Sequence, residues 1–230
     1  DGGLLLDQRD LVALVGQLER RLDPGHPAAD DERPAGDRDH HLFLGLEEAG
    51  VEVEKGFIKI DEHCRTSVES IYAIGDVTGK LQLAHVASAQ GIVAVEHALG
   101  HEAAMDYRVV PACIFTDPET ASVGITEESA QSMGIDYKVG RFQFRGLGKA
   151  QAEGHLDGLV KIITEAESAT IIGAHIVGAG ASDLIGELAL AMKTGATAED
   201  VYETIHAHPT LPEAVKEAAE DACGRAIHVV

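Results

Sequence analysis

The chain contains only three cysteines in 230 residues, Cys64, Cys113 and Cys223. They lie far apart and form neither a CxxC nor a CxxxxC pair, so the sequence has no disulfide framework and no zinc-binding pattern. The histidines show no shared metal-ligand spacing either, and we predict no metal site. Because few proteins of a reducing compartment depend on disulfides, we predict a cytoplasmic protein.

Basic residues and long hydrophobic runs are also scarce. The chain has 18 Lys and Arg against 39 Asp and Glu, a net charge of −21, which argues against a nucleic-acid partner because such proteins neutralise phosphates with clustered Lys and Arg. No apolar run approaches the roughly 18 to 20 residues of a membrane span, and no basic segment precedes an apolar one at the start. We therefore predict neither a membrane protein nor an obviously secreted one.

What is present is the composition of a soluble globule, with 45% apolar and 25% charged residues. Residues 1–42 differ from the rest and form an atypical N-terminal segment. Apolar residues recur at helical spacing from Leu11 to Leu22, whereas Asp30–Asp39 has no apolar period. We predict a short helix there, followed by a disordered linker.

From Leu42 onward the pattern is that of a folded α/β protein. The predicted strands are Gly56–Asp61, Ser70–Gly75, Val109–Phe115, Thr120–Gly124, Val139–Phe144, Leu159–Thr164 and Ile171–Val177. The predicted helices are His85–Leu99, Thr126–Met133 with Thr126 as its cap, Ser182–Lys193 and Pro212–Cys223. Consecutive strands followed by helices predict an α+β fold, an antiparallel sheet with helices on one side.

A glycine pair, Gly178-Ala-Gly180, stands between a strand and a helix, where a dinucleotide-binding loop would lie. The third glycine of G-x-G-x-x-G is replaced by Asp183, whose carboxylate would repel a pyrophosphate. The preceding strand also belongs to a predicted hairpin. We interpret the pair as a tight turn in which Ser182 caps the next helix.

The buried run that ends at Gly75-Asp76 places a carboxylate just beyond a hydrophobic strand, where ligands of open α/β sheets gather. Asp76 on its own is as well explained by a turn in which it bonds its own backbone. Shortly afterwards Leu83-Ala84-His85 opens a helix, whose N-terminus carries unpaired N–H groups and a positive dipole end. Together they could hold a polyol chain at Asp76 and an electron-rich ring edge at Ala84 and His85.

The run His206-Ala-His208-Pro-Thr210-Leu-Pro-Glu213 is the most informative in the chain. A histidine with a carboxylate five residues on can act as a proton-transfer pair, in which Glu213 fixes the tautomer of His208. The alternative is structural, because Thr210-x-x-Glu213 is also a capping box for the last helix, and both can hold. His206 could assist His208 or simply pack.

These segments, taken together, resemble the flavin-dependent pyridine nucleotide-disulfide oxidoreductases, and within that family the dihydrolipoyl dehydrogenases. The similarity covers roughly residues 43–230. The matching text is Thr66-Ser67, Tyr72-Ala-Ile-Gly-Asp76, Leu83-Ala-His-Val-Ala-Ser88-Ala-Gln-Gly91, Phe115-Thr-Asp-Pro-Glu119, Gly173-Ala-His-Ile-Val177, Glu187-Leu-Ala-Leu190, Gly195-Ala-Thr-Ala-Glu-Asp200 and His206-Ala-His-Pro-Thr-Leu211 with Glu213.

The resemblance implies a partial FAD-binding domain over residues 43–107 and a dimerisation domain over residues 108–230. Asp76 would bind the ribityl part of FAD, and the pyrimidine end of the flavin would lie against Gln82, Leu83, Ala84 and His85. His208 would accept a proton from a dihydrolipoyl thiol, and Glu213 would orient it.

The implied partners follow from the same resemblance. They are NAD as the second cofactor of the complete enzyme, a second copy of the chain in a homodimer, and the lipoyl-bearing protein of a 2-oxoacid dehydrogenase complex. In this family the base serves the active site of the partner subunit, so dimerisation would be part of the mechanism.

Three features of the family are absent from the 230 residues: the N-terminal FAD fingerprint, the redox-active CxxxxC and the NAD-binding G-x-G-x-x-G. Two hypotheses therefore stay open. The chain is the C-terminal portion of a dihydrolipoyl dehydrogenase that acts when completed, or it is a non-catalytic dimerisation module, a truncated remnant. A His-dependent hydrolase is a weaker third, because no Ser or Cys nucleophile with a recognisable elbow accompanies His208.

Overall fold

The computed structural model describes residues 45–228. They form two compact units, divided between Met105 and Asp106. The helix and linker predicted within residues 1–42 lie outside the described residues. Among the helices of the described part, none is long and apolar enough to span a bilayer.

The described part of the N-terminal unit, residues 45–105, has one α-helix and little other regular structure. Strands β1 (Val53–Glu54) and β2 (Phe57–Ile58) pair as a short antiparallel hairpin. A 3₁₀ turn covers Gly75–Thr78, and helix α1 covers Ala84–Ala98. A small apolar cluster of Leu46, Val51, Ile58 and Ala73 lies in this part of the chain.

The prediction of a strand over Ser70–Gly75 was wrong, and the strand over Gly56–Asp61 was too long. Only Tyr72 makes a bridge, to Arg65. The N–H of Ala73 donates to the carbonyl of Cys64, but the N–H of Gly75 donates to the side chain of Gln90, so the pairing does not continue beyond this bridge. An apolar run becomes a strand only where another backbone supplies a ladder of partners.

The C-terminal unit is built on a five-stranded sheet in the order β3-β4-β7-β6-β5, in which every pair is antiparallel. Its strands are β3 (Ala112–Ile114), β4 (Thr120–Gly124), β5 (Tyr137–Gln143), β6 (Leu159–Glu165) and β7 (Ile171–Val177). A 3₁₀ turn at Phe144–Gly146 follows β5.

Five helices complete this unit: α2 (Glu127–Ser132), α3 (Gly148–Glu153), α4 (Ala181–Thr194), α5 (Ala198–Glu203) and α6 (Glu213–Ala222). Helices α4 and α6 pack against the sheet and close one large core with side chains such as Phe144, Ile162, Ile176, Leu188 and Val215. The predicted α+β fold, an antiparallel sheet with helices packed on it, is confirmed.

Gly140 of β5 explains how closely α6 approaches the sheet. A Cβ built at this position would lie 2.0 Å from the carbonyl oxygen of Ala218 and 2.3 Å from the nitrogen of Ala222. Only glycine allows this contact between two backbones. The residue thereby positions α6, whose first residue is Glu213.

Of the two helix caps predicted from the sequence, one is confirmed and one is wrong. Thr126 caps α2 as predicted, by accepting a hydrogen bond from the N–H of Ser129. Ser182 does not cap α4: Gly180 is the N-cap residue, and both the N–H and the hydroxyl of Ser182 donate to the carboxylate of Glu119. The interpretation of Gly178-Ala-Gly180 as a turn holds, since it follows the antiparallel strand β7.

Candidate functional site

His208 and Glu213 lie together at the start of α6. The Nδ1 atom of His208 is 2.8 Å from Oε1 of Glu213. Because a carboxylate only accepts, the hydrogen of the neutral ring lies on Nδ1 and the lone pair on Nε2. The side chain of His208 is 75% exposed and that of Glu213 only 20%. The pair can therefore offer Nε2 to a molecule in solution while the carboxylate holds the ring from behind.

Glu213 is itself held in place by the backbone. Its second oxygen, Oε2, accepts the N–H of Thr210 at 2.8 Å. Burial raises the pKa of Glu213, but the hydrogen bonds from Thr210 and His208 outweigh burial, so its pKa lies below the usual value. The carboxylate thus stays ionised and available to His208.

The capping box predicted for this helix is only half formed, because Oε2 of Glu213 accepts the N–H of Thr210 but the hydroxyl of Thr210 accepts no N–H of the helix in return. The hydroxyl of Thr210 donates to the carbonyl of Ala207 at 2.6 Å and does not accept from the helix, whose N-cap residue is Pro212. A complete capping box lies instead at Thr197 and Asp200, at the start of α5. The role of Glu213 is therefore to bind the preceding segment, including the ring of His208.

His206 does not contact His208. Its Nε2 lies 2.9 Å from Oε1 of Glu187 on α4, and its Nδ1 lies 2.8 Å from the carbonyl oxygen of Thr204. Its side chain is buried, with 6% exposed. The two histidines of this run thus have different surroundings although only one residue separates them.

In the N-terminal unit, Asp76 lies on the 3₁₀ turn with its side chain exposed. The turn is fixed from several sides. The buried amide of Gln90 on α1 accepts the N–H of Gly75 at 2.6 Å, and the hydroxyl of Thr78 donates to the carbonyl of Gly75 at 2.8 Å. Gly79 closes the turn with φ +63, and a Cβ there would lie 2.4 Å from the ring of Phe57.

The residues predicted to face a flavin ring lie at the N-terminus of α1, in the same unit. Leu83 is the N-cap residue, with extended backbone and no side-chain cap. Ala84 and His85 begin the helix and are exposed, as is Gln82. The N-terminus of a 15-residue helix therefore has backbone donors and a positive dipole end directed at its surroundings.

The three cysteines are free. Cys64 is fully buried, and this burial, with the nearby Asp61 carboxylate, raises the pKa of its thiol to about 11. Burial also raises the pKa of Cys113 and Cys223. Within residues 45–228 no three His, Cys, Asp or Glu side chains are grouped as a metal site would require.

Two residues of the matching segments, Gln90 and Glu187, were given no role from the sequence, yet their side chains bind Gly75 and His206. Each is a polar residue inside an apolar stretch of helix, Gln90 in α1 and Glu187 in α4. That contrast is the signal that could have found them, since a polar side chain inside an apolar stretch needs a partner if it is buried. The identity of that partner is visible only in the fold.

The fold of the C-terminal unit corresponds to a known domain. Residues 110–219 match the family model of the pyridine nucleotide-disulphide oxidoreductase dimerisation domain. Residues 36–91 match a second model, described as pyridine nucleotide-disulphide oxidoreductase. The chain belongs to the pyridine nucleotide-disulfide oxidoreductase family, which confirms the resemblance inferred from its motifs.

Within that family the chain is similar to dihydrolipoyl dehydrogenases. It is 51% identical over 189 residues to the dihydrolipoyl dehydrogenase of Haloferax volcanii, a match that covers 81% of this chain and 40% of the relative. Among solved structures, LpdA of Mycobacterium tuberculosis superposes with a TM-score of 0.74 at 33% identity, over 77% of this chain and 39% of that one.

The HOCl-induced flavoprotein disulfide reductase RclA of Escherichia coli superposes with a TM-score of 0.70 at 26% identity, over 76% of this chain and 41% of that one. The chain therefore spans about 40% of the length of the dihydrolipoyl dehydrogenase that it matches.

Proposed function

We propose that this chain provides the proton-transfer pair, part of the FAD site and the dimer interface of a dihydrolipoyl dehydrogenase that uses FAD and NAD. The observation that carries the proposal is the contact of 2.8 Å between Nδ1 of His208 and Oε1 of Glu213, with the ring exposed. The similarity to dihydrolipoyl dehydrogenases supports the choice of substrate.

His208 acts as a general base in this proposal. Nε2 takes the proton of a dihydrolipoyl thiol, and Glu213 stabilises the imidazolium that results. This chain has no CxxxxC pair, so another part of the enzyme supplies the disulfide that the thiolate attacks. The attack breaks that disulfide, forms a mixed disulfide with the substrate sulfur and releases one cysteine thiolate. Glu213 holds the ring in one tautomer throughout, because its other oxygen is anchored to the N–H of Thr210.

Asp76 and the start of α1 suit FAD in chemical type. An exposed carboxylate accepts hydrogen bonds from the hydroxyls of a ribityl chain, and an uncapped helix N-terminus favours an electron-rich ring edge. We assign the first role to Asp76 and the second to the segment from Gln82 to His85, chiefly its backbone. When bound, FAD would accept the electron pair that the dithiol loses.

We also propose an oligomeric state, a protein partner, a compartment and domain boundaries for this chain. The match to a dimerisation domain supports a homodimer. A lipoyl-bearing protein of a 2-oxoacid dehydrogenase complex is the proposed protein partner, and the cytoplasm the proposed compartment. The boundaries 43–107 and 108–230 are proposed for the partial FAD-binding and dimerisation domains.

The decisive variant is His208→Gln in an enzyme completed with the family's disulfide and nucleotide-binding parts. We expect turnover of dihydrolipoamide to fall by about 10²–10⁴-fold, the usual contribution of a general base, while FAD stays bound. The matched control is His228→Gln, because Nδ1 of His228 lies 2.8 Å from Glu217 on the same helix. Unchanged turnover in His208→Gln would refute the proposed base.

The alternative is a non-catalytic dimerisation module, which the lack of a CxxxxC pair favours. The visible absorption spectrum of the purified chain, after addition of FAD and dialysis, separates the two. Retained bands of oxidised flavin that disappear in Asp76→Ala support the FAD site proposed here. A colourless dimer supports the interface module.

A further inference from the structure

The segment that carries His208, residues 205–212, contains neither helix nor strand. It joins α5 to α6, and half of its residues are exposed, among them His208 and Ile205, the latter at 95%. An exposed loop of this kind would normally leave a side chain free to adopt several orientations. A general base needs one orientation, so the contacts that restrain the loop bear directly on His208.

His206 is the buried side chain at the start of this segment. Nε2 binds the carboxylate of Glu187, which belongs to α4, and Nδ1 binds the carbonyl of Thr204, at the end of α5. Helix α4 packs on the sheet through Leu184, Ile185 and Leu188. The imidazole of His206 thus links the loop to a rigid element.

Each ring nitrogen of His206 lies within hydrogen-bond distance of an acceptor oxygen. Both of its partners, a carbonyl oxygen and a carboxylate oxygen, are acceptors, whereas a neutral imidazole has a single N–H. Both contacts can be hydrogen bonds only if His206 and Glu187 together hold one proton more than a neutral imidazole and an ionised carboxylate do. The pair is then an imidazolium and a carboxylate joined by a charge-assisted hydrogen bond, among the stronger kinds in proteins.

Carboxylates face His206 from two helices. Glu187 contacts it from α4, and Glu213 of α6 interacts with it through the electrostatic field, since the charge of His206 adds to the effects that lower the pKa of Glu213. The same Glu213 holds His208.

The coupling to His208 is short. Ala207 is the single residue between the two histidines, and its carbonyl accepts the hydroxyl of Thr210 at 2.6 Å. Thr210 in turn donates its N–H to Glu213. A displacement of His206 would therefore be transmitted to both ends of the His208–Glu213 pair.

We propose that His206 is a positioning residue for His208: it carries hydrogens on both ring nitrogens, binds Glu187 and the Thr204 carbonyl at once, and thereby holds His208 in one orientation toward Glu213. The inference rests on the proposed function of His208 and deepens it. His206 contacts no substrate in this scheme and acts through the loop.

The test uses ¹⁵N NMR of the histidine rings in the 230-residue chain at neutral pH, which reports ring protonation without any need for activity. We expect the wild-type His206 to show two protonated ring nitrogens, and His208 to show a single tautomer with its hydrogen on Nδ1. A His206 ring with one unprotonated nitrogen in the wild type would overturn the proposal, and this measurement requires no variant.

The variant is Glu187→Gln, which keeps an acceptor oxygen but removes the charge. We expect His206 to lose its second hydrogen and His208 to become a mixture of tautomers. The matched control, Glu203→Gln on the exposed side of α5, should change neither ring. Glu187→Asp, which keeps the charge, should preserve the doubly protonated His206. An unchanged His208 spectrum in folded Glu187→Gln would contradict the positioning role.

Activity separates this inference from the proposed function. In a completed enzyme Glu187→Gln should lower kcat by about 10–100-fold with KM little changed, as a misplaced base does. If His208→Gln leaves turnover unchanged, the proposed function fails whatever the spectra show. If His208→Gln is inactive but Glu187→Gln is not impaired, only the positioning role of His206 fails.

Discussion

The two units of the chain bury their apolar residues to different extents. The C-terminal unit joins sheet and helices in one large core, whereas the apolar cluster found within residues 45–105 has four buried side chains with five partly buried ones packed against them. In the N-terminal unit large apolar side chains are exposed on and just after α1, Ile92 at 66% and the C-cap residue Leu99 at 69%. The turn that carries Asp76 is held by hydrogen bonds instead, above all the one from the N–H of Gly75 to Gln90.

This difference indicates how each part of the proposed site is kept in shape. Packing supports His208, because α6 and α4 are both anchored in the large core. Asp76 depends on a few polar contacts around a turn. We expect the C-terminal unit to be the more stable of the two, and the following measurements test that expectation.

The largest effect is expected from Phe144→Ala in the C-terminal unit. Phe144 is fully buried, and Gly158 and Gly178 are so close that a Cβ there would lie 2.5 and 2.6 Å from its ring. Truncation should lower the free energy of unfolding of this unit by about 3–5 kcal/mol, from lost burial and the remaining cavity. Urea unfolding followed by far-UV circular dichroism measures it.

Met133→Ala is the control for this prediction, because Met133 is 64% exposed. It should change the stability by less than about 0.5 kcal/mol. If Phe144→Ala lowered the free energy of unfolding by less than about 1 kcal/mol, burial in this core would not be the main source of the stability of the C-terminal unit.

A smaller effect is expected from Gln90→Ala in the N-terminal unit. The change leaves the buried N–H of Gly75 without its acceptor, which should lower the free energy of unfolding of this unit by about 1–3 kcal/mol. Amide hydrogen exchange at Gly75 should accelerate, and the affinity of the chain for FAD should fall with it. Ser88→Ala, on the exposed side of α1, should leave exchange at Gly75 unchanged. Equal exchange in both variants would contradict a turn held by Gln90.

Acid should weaken both units, through different carboxylates. Glu213 has a lowered pKa because hydrogen bonds outweigh burial, and the same balance lowers the pKa of Asp61, which accepts the N–H groups of Arg65 and His63. A carboxyl whose pKa is lower in the folded state stabilises the fold above its unfolded pKa, and this contribution disappears as the pH falls through the folded value.

Urea midpoints measured from about pH 6 down to pH 3 test this. Glu213→Gln should flatten the acid dependence of the C-terminal unit only, and Asp61→Asn that of the N-terminal unit only. If either variant flattened the curves of both units, the two would not be separate in their stability.

The smallest perturbation is thiol labelling, which changes no residue. Cys64 is fully buried with a pKa of about 11, whereas Cys113 and Cys223 are only partly buried. Iodoacetamide at neutral pH should modify Cys64 last, because the thiolate is the reactive form and only opening of the N-terminal unit exposes it. Mass spectrometry gives the rates. Labelling of Cys64 as fast as that of Cys223 would show that the N-terminal unit opens readily.

Much of the fold was accessible from sequence patterns. The strands β4 to β7 and the helices α1, α2, α4 and α6 were predicted to within a few residues, because alternation and helical periodicity are local properties of a buried surface. Val109–Phe115 was predicted too long, since only Ala112–Ile114 finds a partner strand. The strand at Ser70–Gly75 failed for the same reason.

The candidate site was predicted in part. The proximity of His208 and Glu213 follows from a spacing of five residues across a proline-stiffened turn, and the structure brings the two together. The contact of Ser182 with Glu119 joins residues 63 positions apart, and no local pattern indicates it. The same holds for His206 and Glu187, 19 positions apart on different elements.

The sequence by itself determined the family and the α+β class, and it indicated the residues proposed here for proton transfer and ligand binding, because composition, periodicity and motif spacing are local properties of the chain. Only the tertiary structure decided which acceptor each histidine takes: Glu213 for His208, Glu187 for His206 and Glu217 for His228. The physical reason is that hydrogen bonds depend on distances of about 3 Å in space, and the packing of α4 and α6 on the sheet sets those distances.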